Sequence, residues 1–181
     1  MSKPRLAITL GDPAGIGPEI VYRAVNSLKI KRVCSPVVFG DEKVVKKYFK
    51  KYKNTEFFVS SRVGNFKTGE PSKESGTAAA EAVKAAVKYC LAGKASALVT
   101  APVSKESLKF AGIKFPGHTE LLADLTKSAG VAMLMACGKL HSVMVTRHIP
   151  LFEVAGKLKA GDIAASVKMQ PLLSKKTKKK N

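Results

Sequence analysis

The sequence contains no tryptophan, only three cysteines and only 13 acidic residues against 32 lysines and arginines. Cys34, Cys90 and Cys137 are odd in number and widely spaced, with no CxxC pair, so a disulfide framework and a zinc finger are both excluded. They read as three small core thiols in a reducing cytoplasm. Long apolar runs are also missing. The longest uncharged stretch, Ser128 to Gly138, falls far short of the ~20 residues that a membrane-spanning helix requires. The start, Met1-Ser2-Lys3-Pro4-Arg5, reaches Gly11-Asp12-Pro13 too soon to hold a signal-peptide core.

Aromatic residues make up only 7% of the chain. The basic runs therefore lack the interleaved stacking side chains of a single-strand binder, and no recognition-helix motif or Arg-rich segment accompanies them. The formal charge of +19 sits unevenly. One run comprises Lys43, Lys46, Lys47, Lys50, Lys51 and Lys53, and another comprises Lys175, Lys176, Lys178, Lys179 and Lys180. Within the first run Val44, Tyr48 and Tyr52 recur at helical spacing beside Val45 and Phe49, so its lysines are the solvated face of an amphipathic helix. A specific nucleic-acid partner is not expected, whereas weak nonspecific polyanion binding by counterion release is the alternative outside enzymology.

What is present is a globular composition, 45% hydrophobic, in 181 residues. A chain of this size buries roughly 70% of its unfolded surface. Apolar runs at Leu6–Leu10, Val33–Phe39, Glu56–Val59, Ala97–Val99, Val131–Ala136 and His141–Thr146 read as strands. Pro36 marks the second as an edge or bulged strand. Helical spacing appears from Pro18 to Ser27, from Gly76 to Leu91 with a stop at Gly93, from Ser104 to Ala111, and from a Thr119 cap to Ser128. Ser61 to Ser75 reads as a loop. The alternation predicts an α/β fold with a mostly parallel sheet and helices on both faces. Residues 1–112 form a first lobe, 113–171 the start of a second, and 172–181 a basic tail.

Ligands in open α/β sheets collect beyond the carboxyl ends of the strands. Three segments follow such ends: Gly11–Gly17, Thr100–Lys105 and Thr146–Pro150. The first is neither a Walker loop nor a GxGxxG fingerprint, and serves either as a tight turn or as a ligand contact. In Phe115-Pro116-Gly117-His118-Thr119-Glu120, His118 and Thr119 open a helix whose free N–H groups suit a phosphate or carboxylate; simple capping by Thr119 is the alternative. His148 is either a metal ligand or an ordinary hydrogen-bonded side chain. His141, inside a strand, is structural.

Five blocks together resemble the 4-hydroxythreonine-4-phosphate dehydrogenase family. They are Ile8-Thr9-Leu10-Gly11-Asp12-Pro13-Ala14-Gly15-Ile16-Gly17-Pro18-Glu19, Ser75-Gly76, Val99-Thr100-Ala101-Pro102-Val103-Ser104-Lys105, Gly117-His118-Thr119-Glu120 and Thr146-Arg147-His148-Ile149-Pro150-Leu151. The resemblance implies an isocitrate/isopropylmalate dehydrogenase-like fold, a cytoplasmic homodimer and a role in pyridoxal 5′-phosphate biosynthesis. It implies oxidation of 4-phosphooxy-L-threonine by NAD or NADP, with decarboxylation, at a divalent metal (Zn, Mg or Co). It assigns His118 and Thr119 to the substrate and His148 to the metal, while Lys105 either meets substrate anions or is solvated. A dehydrogenase of a four-carbon acid-sugar phosphate, of the threonate or erythronate 4-phosphate type, is the nearer alternative.

The sequence departs from the family pattern in two respects. Arg147 replaces the small hydroxyl residue usual before the metal histidine. The N-P-H-A-G and Y-H-D-Q-G segments that carry two further metal histidines do not occur. The resemblance spans residues 5 to 165, so the chain is expected to be truncated, with half an active site and no activity in isolation. No catalytic or cofactor-binding residue is assigned.

Overall fold

The computed structural model describes residues 3–50, 55–115, 117–128, 130–138, 140–147 and 149–177, with side chains to residue 169. The chain divides into two compact units, 1–128 and 129–181.

Strands β1 (Arg5–Thr9), β2 (Ser35–Asp41), β3 (Glu56–Ser61) and β4 (Ala97–Thr100) of the first unit form one sheet in the order β3-β2-β1-β4. All three pairings are parallel, with Leu6 opposite Pro36 on one side and Ala97 on the other. The two central strands are near-continuous apolar runs because both faces are covered. On one face Ile8, Leu10 and Val38 pack against Val21 and Val25 of α1 (Gly17–Asn26) and Val44 and Phe49 of α3 (Glu42–Phe49). On the other, Ala7, Val37 and Phe39 meet Ala82 and Ala86 of α4 (Lys73–Leu91). Small side chains bring that helix close to the sheet. Fully burying side chains of the Val, Leu or Phe kind contributes about 1.5–3 kcal/mol each, so these two layers hold the unit together.

Several local expectations change. β2 is an inner strand rather than an edge, because Pro36 stands near its start, where a missing N–H costs little, and the irregularity falls at Gly40–Asp41. Residues Leu28–Val33 form a short helix, α2, before that strand. α4 begins at Lys73 rather than Gly76, because Ser72 and Ser75 form a reciprocal capping box. α5 (Lys105–Phe110) is capped by Ser104. α6 (His118–Thr126) starts at His118 with Gly117 as its cap residue and no side-chain cap, so Thr119 is inside the helix and caps nothing. Leu121 of α6 packs with Val83 and Val87 of α4. Tyr52 lies outside the described residues.

In the second unit β5 (Met133–Cys137) and β6 (Leu140–Met144) pair antiparallel, whereas the first unit's strands make the parallel sheet of a mostly parallel fold. Their connection is too short for the crossover that parallel strands need. Cys137 is exposed on β5, whereas Cys34 is buried and Cys90 half-buried, so only part of the core-thiol expectation holds. A 3-10 turn (Leu151–Glu153), α7 (Val154–Lys157) and α8 (Ala160–Thr177) follow, and the helical backbone therefore extends into the expected tail. Among the described residues no helix is long and apolar enough to cross a membrane.

Candidate functional site

Parallel pairing of β1 with β4 sets the loops after both strands at the same edge of the sheet. Gly11 turns with φ +70°, and an added Cβ there would stand 2.2 Å from the Pro102 carbonyl oxygen. No other residue tolerates both the left-handed backbone and the close approach. The contact is used at once, because the Asp12 N–H donates to that same oxygen at 3.0 Å. Two of the three strand-end segments are thus joined directly.

Asp12 is 4% exposed and accepts at both carboxylate oxygens. The Ala14 N–H reaches Oδ1 at 2.8 Å, and the Ser107 hydroxyl reaches Oδ2 at 2.7 Å. Ser107 Oγ lies 3.0 Å from Ser75 Oγ. A hydroxyl carries one proton, and Ser107 spends its proton on the carboxylate, so Ser75 is the donor to Ser107, sharing its proton with the Ser72 carbonyl, also at 3.0 Å. The Ser72 N–H donates in turn to Ser75 at 3.2 Å. The result is a one-way chain from the start of α4 through α5 to the first loop. No lysine or arginine pairs with Asp12 among the described residues, so neutral donors alone hold this buried carboxylate. Gly76 makes the arrangement possible, since a Cβ there would stand 1.9 Å from the Ser107 carbonyl oxygen.

His118 is half-buried as the first residue of α6, and its Nε2 is enclosed without a hydrogen-bond partner among the described residues. Burial pushes the imidazole pKa below its ordinary value, so the ring is neutral at neutral pH. Thr119 follows in the first turn, where backbone N–H groups have no partner within the helix. This end of the helix offers a neutral imidazole, a hydroxyl and free amides, which together suit a phosphate or carboxylate. Glu120 shares the turn and offsets part of the dipole, which leaves hydrogen bonding rather than net charge as the means of recognition.

No hydrogen bond among the described residues links His118 or Thr119 to the Asp12 chain. Lys105 is exposed at the start of α5. His148 lies outside the described residues, and Arg147 beside it reaches the Val131 carbonyl at 3.5 Å. No three His, Cys, Asp or Glu side chains converge among the described residues. These residues do not by themselves fit a divalent metal. Sequence reasoning missed Ser107 and took Ser75 for the end of a loop. The available signal was a repeated S-x-x-S: Ser72 caps the helix carrying Ser75, and Ser104 caps the one carrying Ser107.

The profile of the family described as "Pyridoxal phosphate biosynthetic protein PdxA" matches residues 32–180. The chain belongs to this family. A 4-hydroxythreonine-4-phosphate dehydrogenase from Desulforapulum autotrophicum is 35% identical, with 93% of this chain and 56% of the relative covered. A relative from Oceanobacillus iheyensis, provisionally named a D-threonate 4-phosphate dehydrogenase, is 32% identical over 87% of this chain and 54% of its own length. The crystal structure of a 4-hydroxythreonine-4-phosphate dehydrogenase from Burkholderia phymatum superposes with a TM-score of 0.84 at 28% identity, with 94% of this chain and 58% of that one covered. The chain therefore spans just over half the length of the PdxA relatives it matches. Its α/β fold, with the mostly parallel sheet, is of the isocitrate dehydrogenase-like class of PdxA structures, and the family is one of dehydrogenases.

Proposed function

We propose that this chain supplies substrate-holding residues of a PdxA-type dehydrogenase that oxidises the 3-hydroxyl of 4-phosphooxy-L-threonine with NAD or NADP. The β-keto acid so formed loses carbon dioxide on the route to pyridoxal 5′-phosphate. The observation that carries this reading is the enclosed, unpartnered Nε2 of His118 at the uncapped start of α6. A buried polar atom without a partner costs about 1–3 kcal/mol, and an anionic substrate would remove that cost. Thr119 and the first-turn amides add donors to the same group, and a neutral imidazole contributes an N–H without a counter-charge. The Asp12–Ser107–Ser75 chain holds the neighbouring strand-end loops in place, and Asp12 is not itself assigned a substrate contact.

The proposal extends to a homodimer and to a divalent metal held partly by His148, with its other ligands coming from elsewhere in the assembly. Such a metal supplies Lewis-acid polarisation of the reacting hydroxyl when bound. No residue of this chain is assigned to the nicotinamide cofactor.

The name of the Oceanobacillus iheyensis relative favours a second reading, in which the substrate is D-threonate 4-phosphate and a hydroxyl stands where threonine has its amino group. Equilibrium dialysis of the chain against 4-phosphooxy-L-threonine, D-threonate 4-phosphate and L-threonine tests both. The phosphorylated ligands are expected to bind at least about tenfold more tightly than L-threonine, the worth of one charge-assisted contact. Equal binding of all three would reject the proposal, and the tighter phosphorylated ligand decides between the readings.

A further inference from the structure

A concave site of about 400 Å³ opens where α3 meets the loop that follows β3, and Pro13 of the first loop forms part of its wall. None of its lining residues is His118 or Thr119. It lies beyond the carboxyl ends of β2 and β3, the edge where open parallel sheets collect ligands.

The cavity is built in advance of any ligand. Asp41 ties its two sides together: Oδ1 accepts from the Lys43 N–H at 2.9 Å, and Oδ2 accepts from the Ser61 hydroxyl at 2.8 Å and the Val63 N–H at 3.0 Å. The far end of the loop is pinned by the Gly69 N–H, which donates to the Ala14 carbonyl at 2.8 Å. Phe66 is half-buried against the core cluster around Ile8 and Val44, so one aromatic wall is anchored. Tyr48 supplies a second.

Charge is distributed unequally around α3. On its outward side Glu42 pairs with Lys46 at 2.9 Å and with Arg62 at 3.1 Å. On the cavity side Lys43 Nζ is met by the neutral Asn65 Oδ1 at 2.8 Å, and the Lys47 ammonium lies 5.3 Å from the Tyr48 ring centroid. Neither lysine has a carboxylate partner among the described residues. Lys67 at the rim is paired with Glu70. Two ammonium groups without counter-charges therefore stand over a cavity whose walls include two aromatic rings. A volume of this order lies within the ~300–1,000 Å³ range of small-molecule sites.

We propose that this cavity is a second ligand site, for a small molecule that carries a phosphate group on a ring-bearing body. Lys43 and Lys47 hold the phosphate, Asn65 orients Lys43, and Tyr48 and Phe66 receive the ring. Two lysines of a run that reads as a solvated helix face thus have a specific task. Through Pro13, an occupant would touch the loop that carries Asp12.

The test is an NMR titration of the 181-residue chain with inorganic phosphate and with phenyl phosphate. Phenyl phosphate is expected to bind about fivefold more tightly, the worth of one aromatic contact. Its shifts are expected to centre on Lys43, Gly64, Asn65 and Phe66. The K43A/K47A variant should lose at least about tenfold in affinity for both probes, while the charge-matched control K29A/K88A should bind as the parent does. All four lysines are exposed or half-buried, so both variants should melt with the parent, which circular dichroism checks. Shifts spread over every lysine-bearing surface, equal losses in the two double variants, or no binding of either probe would each overturn the proposal.

Discussion

The Ser107 hydroxyl meets the Asp12 carboxylate at 2.7 Å, across 95 positions of sequence and in a region closed to solvent. It joins the loop after β1 to the helix after β4, and Ser75 extends the link to the start of the helix between them. Three crossings of the chain are locked at the carboxyl edge of the sheet by one hydroxyl.

Replacing Ser107 by alanine leaves one Asp12 oxygen without its donor, while the Ser75 proton keeps the Ser72 carbonyl at 3.0 Å as its acceptor. The expected loss is about 2–3 kcal/mol, because the deserted acceptor is a buried carboxylate. S75A should cost less, about 1 kcal/mol, since Asp12 keeps both of its donors. The double variant S75A/S107A should then cost less than the sum of the two. Urea unfolding of all four proteins measures this coupling, and strict additivity would show that the serines do not act as a chain.

Gly76→Ala is expected to cost on the order of 3 kcal/mol, through the collision of its Cβ with the Ser107 backbone. Gly93 has open space around it and strains only its backbone, with φ +71°, so G93A should cost about 1 kcal/mol. Thermal melts of the two variants side by side test whether close packing of α4 on α5, rather than glycine as such, is the demand at position 76.

Burial lowers the pKa of His118 in the folded chain, so the unfolded chain binds the proton more readily. Stability is therefore unaffected above the ordinary histidine pKa of about 6.5 and falls as pH drops below it. H118N should remove that part of the slope while leaving the slope above pH ~7 unchanged. Parallel denaturation of parent and variant across this range reads the difference, and identical slopes would show that the imidazole is not held neutral by burial.

The general fold was legible because burial on both faces leaves plain marks. The apolar runs at Leu6–Leu10 and Val37–Phe39 and the alanine face of α4 announce a covered parallel sheet. Boundaries were read less well where a cap competes with a breaker. Ser75 looked like the end of a loop and Gly76 like the start of the helix, yet the capping box at Ser72 and Ser75 starts it earlier. Thr119 looked like a cap, but Gly117 precedes the helix and leaves its end open. The Asp12–Ser107 contact was invisible because its partners meet only once β1 and β4 are paired. The five family blocks carried the identification, and spacing alone left His118 balanced between surface residue and ligand contact. The structure adds the enclosure of Nε2, a property of packing that no local sequence pattern encodes.

The most direct test of the proposed substrate site is calorimetric titration of 4-phosphooxy-L-threonine into the parent chain, H118N and T119A at two pH values. An anion beside His118 stabilises the imidazolium, so parental affinity should rise as pH falls from 8 to 6. H118N should bind at least about tenfold more weakly and lose that rise, apart from the titration of the phosphate itself, and T119A should lose affinity without losing it. Binding to H118N with the parental affinity and pH dependence would contradict the assignment of the α6 end to the substrate.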